Sequence, residues 1–208
     1  QSCTTNDWEN PKINQINAEK PHATFMSYQT RESAIDNEYT ISPYYKLLNG
    51  QWKFNFVQKP ADRPKNFYKT NYDVSGWANI PVPSNWQMHG YGYANYTNAN
   101  YPFKKDAPKI QHHYNPVGSY KTNFDIPEQW SGREIFIHFG GVNSAFYIWV
   151  NGKKVGYSQD SKTPAEFNIT NFVQKGNNQL AVEVYQWCDG SYLEDQDFWR
   201  LAGIERDV

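Results

Sequence analysis

The pair Asn151-Gly152 constrains the fold of this chain more than any other feature of its sequence. It separates two short strand-like runs, residues 147–150 and 153–157. Asn-Gly pairs adopt the positive φ angles of a type I′ turn, whose twist matches that of two antiparallel strands. The sequence therefore predicts a β-hairpin here, with the two runs as antiparallel neighbours.

Alternating apolar and polar residues predict more strands on either side of the hairpin. The alternation covers residues 52–56, 120–126 and 180–185, and runs rich in Ile, Phe, Tyr and Val occupy 133–139 and 145–150. A period of two indicates a strand with one buried face, and no window has the pattern of a long amphipathic helix. Many short strands divided by Gly, Pro and Asn turns predict an all-β fold, either a sandwich or a barrel.

Charge and hydropathy argue against two classes of protein, those that bind nucleic acid and those that span a membrane. The 20 basic and 21 acidic residues give a formal net charge of -1, so we expect no nucleic-acid partner, since phosphate backbones select a basic surface. The longest apolar run, residues 146–150, is far too short to cross a bilayer, and no transmembrane segment is predicted. The histidines show no metal-ligand spacing, and the adjacent His112 and His113 would point to opposite faces of a strand.

A cluster of carboxylates and aromatic rings follows the Asp189-Gly190 turn near the end of the sequence. Glu194, Asp195 and Asp197 stand there among three aromatic residues. Turn residues place such a run on a loop, and loops on a rigid scaffold carry binding groups. The pattern predicts a site for a polyol or a cation, against the alternative of a solvated acidic loop.

Long motifs give the chain a specific family resemblance. They occupy residues 7–11, 48–54, 82–91, 96–102, 156–161 and 189–200. Two of them, Ser-Asn-Trp-Gln-Met-His-Gly and Leu-Glu-Asp-Gln-Asp-Phe-Trp-Arg, are far more specific than a short glycine pattern. Over nearly its whole length the sequence resembles the amino-terminal, sugar-binding domain of the glycoside hydrolase family 2 β-galactosidases.

The resemblance implies a domain organisation. It implies a jelly-roll β-sandwich of the galactose-binding-domain-like type over residues 44–208, preceded by an extended polar arm over residues 1–43. The immunoglobulin-like and catalytic barrel domains of the full enzyme would follow Val208. In the resembled enzymes the arm lies across the enzyme body and helps to stabilise subunit contacts. We therefore expect a homo-oligomeric full enzyme, and an arm that is poorly held in the isolated domain.

The resemblance also implies a function, that of a non-catalytic domain in an enzyme that hydrolyses terminal β-D-galactosides with retention. In the resembled enzymes both catalytic glutamates lie on the barrel. Glu194, Asp195 and Asp197 are too close together on one loop to straddle a glycosidic bond at the required separation of about 5 to 9 Å. The chain alone is therefore expected to be inactive, with a β-galactoside and the barrel of the same chain as its partners.

Two site residues follow from matching the family motifs, with no catalytic residue among them. Asn98 matches the asparagine that hydrogen-bonds the galactosyl hydroxyls, and Asp197 matches the aspartate that contacts the sugar and ligates sodium. An amide offers both a donor and an acceptor, and a hard carboxylate suits a hard cation. The structural alternatives are a loop-capping role for Asn98 and a partnership of Asp197 with Arg200. Arg200 and Trp86 are expected to be structural, and Ala99 departs from the β-branched residue that the family has after the asparagine.

The same resemblance assigns cofactors to the full enzyme alone. Sodium and magnesium are expected there, with the magnesium ligands on the barrel, and no cofactor is expected in this chain by itself. Cys3 and Cys188 are too few for a metal site of four ligands. Cys3 lies near enough to the start of the sequence to carry the lipid of a bacterial lipoprotein, so we expect a periplasmic or cell-surface bacterial protein rather than a cytoplasmic one.

Two alternative functions stay open. A free-standing carbohydrate-binding module or lectin would bind sugar at millimolar concentration or better by itself, whereas a contributor to a shared pocket would bind almost none. The same domain of a β-glucuronidase or β-mannosidase would keep the fold and change the sugar. The Tyr-Thr-Asn motif and the Glu-Asp-Gln-Asp motif favour the galactoside.

Overall fold

The computed structural model describes residues 5–194 and 197–208, and nearly all of their regular structure is β. The strands of this part are β1 (Gln15–Ile16), β2 (Gly50–Val57), β3 (Ala78–Val82), β4 (Ser84–Asn85), β5 (Asn95–Thr97), β6 (Val117–Ile126), β7 (Phe136–Phe139), β8 (Val142–Asn143), β9 (Ala145–Val150), β10 (Lys153–Gln159), β11 (Ala165–Asn168), β12 (Gly176–Tyr185), β13 (Phe198–Arg200) and β14 (Gly203–Ile204).

Helical structure is confined to short segments between the strands. They are the α-helix α1 (Arg31–Asp36) and 3₁₀ turns at Asp7–Glu9, Tyr39–Ile41, Pro60–Asp62, Trp86–His89, Glu128–Trp130 and Asp189–Tyr192. Within the described residues, no helix combines the length and the apolar character needed to cross a bilayer.

The strands form one large sheet and three small ones. The central sheet has seven strands in the order β1-β10-β9-β12-β6-β2-β3, paired antiparallel throughout. The small sheets are β11-β7, β4-β14-β8 and the ribbon β13-β5. The predicted hairpin of β9 and β10 is confirmed, with Asn151 at φ 51° and Gly152 at φ 79° in the turn. These positive angles are the reason that the turn uses an Asn-Gly pair.

The main core lies between the central sheet and two of the small sheets. Trp52, Tyr120 and Val182 enter it from the central sheet, and Ile137 and Phe167 enter it from β7 and β11. Complete burial of one large apolar side chain contributes about 1.5 to 3 kcal/mol to folding. Two β layers packed over one apolar core confirm the predicted all-β jelly-roll sandwich.

Part of the outer face of the central sheet is buried as well, which the alternating pattern does not predict. Glu183 and Tyr185 of β12 belong to that face and are buried. Trp8 stacks on Tyr185 with the ring centroids 5.2 Å apart. In the loop after β2, Phe67 packs edge-on against Trp149 of β9 at 5.7 Å. Segments outside the sheet therefore cover the face that a lone sandwich would expose.

The first part of the predicted arm is held by the sandwich, which differs from the expectation of a loose arm. Ile16 of β1 pairs with Tyr157 of β10, and the Glu19 amide donates to the Glu166 carbonyl at 2.8 Å. Further along, helix α1 buries none of its residues. The arm contacts the sandwich through Trp8 and the two-residue strand β1. Neither is long enough to show a period, so the sequence does not predict these contacts. The domain boundary at residue 44 stays a prediction.

Gly156 allows this close approach of the arm. A Cβ at Gly156 would lie 2.4 Å from the carbonyl oxygen of Ile16 and 2.6 Å from the ring of Phe167. Neither neighbour is the far end of a flexible side chain, so a side chain at this position would push β1 away from β10. The glycine in the motif at residues 156–161 thus has a packing role.

Candidate functional site

The two residues that the motifs single out for sugar binding lie at the end of one short ribbon. In the antiparallel register of β5 and β13, Thr97 is the partner of Phe198. The residue after Thr97 is Asn98 and the residue before Phe198 is Asp197, so the register places these two side by side just beyond the paired strands. Both are exposed. The fold therefore brings together positions that are far apart in the sequence.

One face of the ribbon carries two aromatic rings and the Asp197 carboxylate. Side chains alternate between the faces of a ribbon, so Tyr96 and Trp199 share one face, and the hydrogen bond from Tyr96 to Asp197 places that carboxylate on it. Tyr96 is also the cross-strand partner of Trp199, and their ring centroids lie 5.6 Å apart. The rings are 51% and 56% exposed. A carboxylate and exposed aromatic surface thus lie on one face, with Asn98 beside Asp197, and groups of these types bind polyols.

The Asp197 carboxylate is hydrogen-bonded within this face. The Tyr96 hydroxyl donates to Oδ1 of Asp197. That hydrogen bond is the main reason that the pKa of Tyr96 is raised above its usual value, with desolvation contributing less. An ionised carboxylate offers about four lone-pair positions, so Asp197 keeps capacity to accept from further donors.

The other face of the ribbon is built around Phe198 and two cations. Lys162 Nζ lies 3.7 Å from the centroid of the Phe198 ring, and the Arg200 guanidinium carbon lies 4.3 Å from it. Arg200 is buried; its Nε donates to Thr97 Oγ1 at 3.3 Å, and it also donates to the carbonyl of Glu194. Arg200 therefore ties β13 both to β5 and to the acidic loop that precedes it.

The acidic loop is anchored by the motif at residues 156–161. Glu194 accepts hydrogen bonds from Ser161, from the backbone N–H at 2.8 Å and from the hydroxyl at 2.7 Å. The Gln159 side chain donates to Asp189 Oδ1 at 2.9 Å. Burial raises the pKa of the Asp189 carboxyl, while this hydrogen bond lowers it. The carboxylate of Glu194 is thus engaged in holding the loop, a role that the sequence does not predict.

Not every predicted position is part of the described structure. Asp195, the middle carboxylate of the motif, and Cys3 both lie outside the described residues. Cys188 is buried, and burial raises the pKa of its thiol to about 12. A thiol with such a pKa is unreactive near neutral pH.

Residues of the Ser-Asn-Trp-Gln motif support the region behind the ribbon. Trp86 is buried in the main core, and its indole N–H donates to the Tyr120 hydroxyl. The Asn85 side chain donates to Glu205 at 2.7 Å, and Gln87 accepts from the backbone N–H of Ala202 at 3.0 Å. This motif therefore fixes the segment that follows β13.

The ribbon offers oxygen ligands for a hard cation, but too few to hold one alone. Among the described residues, no group of three or more His, Cys, Asp and Glu side chains could hold a metal ion. The Asp197 carboxylate and the Asn98 amide oxygen are donors of the type that hard cations prefer, and such ions take about six or more oxygens. These residues fit a sodium ion only as part of a larger shell, completed from elsewhere.

Comparison with known sequences finds a matching family and several relatives. Residues 45–208 match the family described as glycosyl hydrolases family 2, sugar binding domain. The chain is 49% identical over 207 residues to a β-galactosidase of Priestia megaterium (strain DSM 319 / IMG 1521), an alignment that covers 97% of the chain and 20% of that relative. It is 48% identical over 204 residues to a β-galactosidase of Yersinia enterocolitica, covering 97% and 19%. The chain spans about a fifth of the length of these relatives.

Solved structures support the fold. A β-glucuronidase 2 of Bacteroides uniformis, covalently bound to cyclophellitol-6-carboxylate aziridine, aligns with a TM-score of 0.59 at 26% sequence identity. The alignment covers 78% of this chain and 17% of that one. A second crystal structure of a Bacteroides uniformis β-glucuronidase gives the same values.

Proposed function

Because this chain belongs to the sugar-binding domains of the family 2 glycosyl hydrolases, we propose that it forms one wall of the galactosyl pocket in a β-galactosidase. The parent enzyme hydrolyses terminal β-D-galactosides with retention. The observation that carries the proposal is the register of β5 and β13, which places Asn98 beside Asp197, both of them exposed. Identities of 48 and 49% to proteins described as β-galactosidases support the choice of sugar.

Each residue of the ribbon face has a chemical role in this pocket. The Asn98 amide donates to one galactosyl hydroxyl and accepts from another, which fixes the orientation of the sugar. The Asp197 carboxylate accepts from the sugar and supplies one oxygen to sodium. Sodium, when bound, contributes a positive charge that draws sugar oxygens to the site. The ribbon therefore binds and orients the sugar.

The acid and the nucleophile belong to another part of the parent enzyme. Glu194 accepts hydrogen bonds from Ser161 and Asp197 accepts one from Tyr96, so both carboxylates are engaged within the domain. We propose that the barrel of the same chain supplies both catalytic glutamates and the magnesium site, in a homo-oligomer. We also propose that the parent enzyme lies outside the bacterial cytoplasm, with Cys3 as the residue that carries a lipid.

A second candidate is the same domain of a β-glucuronidase. The observation in its favour is the structural match to Bacteroides uniformis β-glucuronidases at 26% identity. The higher identity to β-galactosidases favours the galactoside. A free-standing carbohydrate-binding module is the third candidate, and it requires that the chain alone bind sugar at millimolar concentration or better.

The test replaces Asp197 with Asn in the full-length parent enzyme. The substitution keeps the shape of the side chain and removes the charge that binds a hard cation. Hydrogen bonds to charged groups are worth about 1.5 to 3 kcal/mol, and about 1.4 kcal/mol corresponds to a tenfold change in rate. We expect kcat/KM for a nitrophenyl β-galactoside to fall about ten- to a hundredfold, with loss of the sodium response.

Asp125→Asn is the matched control, because Asp125 is an exposed aspartate of β6, a strand of the central sheet rather than of the ribbon. It should leave both kcat/KM and the sodium response unchanged. Full activity and sodium dependence in Asp197→Asn, together with a lower melting temperature, would make Asp197 a structural residue and end the proposal.

A further inference from the structure

Tyr96 makes a hydrogen bond that reaches diagonally across the ribbon. It is the β5 partner of Trp199, and its hydroxyl donates to Oδ1 of Asp197, two residues before that partner. Diagonal neighbours on one face of an antiparallel pair lie about 7 to 8 Å apart, within reach of an aromatic side chain. The contact is therefore a consequence of the register of the ribbon.

We propose that Tyr96 is a positioning residue, whose phenol fixes the orientation of the Asp197 carboxylate toward the sugar and its cation. The inference rests on the proposed function, because it assumes that Asp197 contacts both. The terminal torsion of an aspartate is broad, so an exposed carboxylate samples many orientations. A donor to Oδ1 restricts that rotation and leaves Oδ2 to accept from a hydroxyl or to bind a cation.

The chemistry of the phenol suits this role. A hydrogen bond from a hydroxyl to an ionised carboxylate is shorter and about twice as strong as a neutral one. The same bond raises the pKa of Tyr96 above its usual value of 10.0, so the phenol stays protonated across the neutral range.

The hydroxyl of Tyr96 can be removed without disturbing the ring. The ring packs on Trp199 at 5.6 Å, with an angle of 60° between the planes, and half of the residue is exposed. Phenylalanine preserves this contact. Lys162 and Arg200 lie against Phe198 on the opposite face of the ribbon.

The experiment uses the full-length parent enzyme in three forms, Tyr96→Phe, Asp197→Asn and Tyr93→Phe. Tyr93 is the control, because it is an exposed tyrosine of the preceding loop whose ring stacks on Tyr114 at 5.5 Å. Two equilibrium measurements report binding without depending on the catalytic activity of the enzyme. Sodium NMR line broadening during a sodium chloride titration reports cation binding, and calorimetry reports the affinity of a non-hydrolysed β-thiogalactoside at low and at saturating sodium.

For Tyr96→Phe we expect the half-saturating sodium concentration to rise about tenfold, since one charge-assisted hydrogen bond is lost. The thiogalactoside affinity should fall about tenfold at low sodium and recover at saturating sodium, because the ligand oxygen is still present. Tyr93→Phe should match the wild type in both measurements. The double variant of Tyr96→Phe and Asp197→Asn should bind no worse than Asp197→Asn alone.

The outcomes test the positioning role of Tyr96 separately from the proposed function. If Asp197→Asn abolishes sodium binding while Tyr96→Phe leaves it unchanged, the positioning role is wrong and the proposed function stands. If Asp197→Asn keeps normal sodium and thiogalactoside binding, the proposed function fails and this inference fails with it. A lower melting temperature in Tyr96→Phe with unchanged sodium affinity would make Tyr96 a structural residue.

Discussion

Glu194 and Asp197 belong to the same motif, yet their carboxylates meet different surroundings. Glu194 accepts two hydrogen bonds from Ser161, whereas Asp197 is exposed and accepts from Tyr96. One carboxylate holds the acidic loop, and the other lies where a ligand can reach it. Residue type alone therefore does not decide which carboxylate of a loop serves binding.

Replacement of Ser161 with Ala tests the anchoring role of Glu194. The change removes the hydroxyl that donates to Glu194 Oε2 at 2.7 Å and leaves the backbone donor in place. We expect the free energy of unfolding, measured by urea denaturation, to fall by about 1 to 2 kcal/mol. Ser131→Ala, at an exposed serine, should change it little. Equal stability of the two variants would contradict the anchoring role.

The sequence can nominate candidate site residues but not their local contacts. Asn98 and Asp197 lie in long motifs, and motif matching assigns them roles without any geometry. The bond from Tyr96 to Asp197 spans 101 positions, and the bond from Ser161 to Glu194 spans 33. Both depend on strand pairing and loop conformation, for which a single sequence of short strands carries no periodic signal.

At the scale of elements, a carboxylate between two imidazoles joins the arm to the sandwich. His22 Nε2 of the arm lies 3.2 Å from one oxygen of Glu166 on β11, and His138 Nδ1 of β7 lies 3.2 Å from the other. Glu19 of the arm adds further negative charge near His22. Hydrogen bonds to the Ala23 carbonyl and to Glu166 raise the pKa of His22 above 6.5.

This arrangement predicts that the arm is held more firmly at acidic pH. Because the pKa of His22 is raised in the folded state, its contribution is fully present below about pH 6.5 and is lost as pH rises through the folded pKa. We expect higher hydrogen-exchange protection factors for the amides of Glu19, Lys20 and His22 at about pH 5 than at about pH 8. His22→Gln should remove most of the difference. If His22→Gln kept the same difference in protection factors between the two pH values, a group other than His22 would be its cause.

Among the elements, the sequence predicts those that follow a simple period. The alternation of residues 52–56 and 180–185 predicts β2 and β12, and the Asn-Gly pair predicts the turn between β9 and β10. The burial of β12 on both faces is not predictable, because Trp8 and Phe67 reach it from segments without any period. The ribbon of β5 and β13 has strands of three residues, too short to show alternation.

At the scale of the whole molecule, the chain matches one domain of a larger type of enzyme. It spans about a fifth of the length of its β-galactosidase relatives, and its central sheet and core carry a ribbon beside which Asn98 and Asp197 are exposed. A pocket that encloses a sugar buries most of the ligand surface, and one flat face cannot do so. Under the proposed function, the remaining walls and the catalytic carboxylates come from elsewhere in the parent enzyme.

The most direct test of this account is the hydrolysis of a nitrophenyl β-galactoside by the purified chain of 208 residues, once a cooperative thermal transition has shown that it is folded. We predict a rate indistinguishable from that of buffer, in the wild type and in Glu194→Gln alike, because Glu194 is hydrogen-bonded to Ser161 and the proposed acid and nucleophile lie on the barrel. Activity that persists through successive purification steps and is lost in Glu194→Gln would contradict the account, because the chain would then carry its own catalytic site.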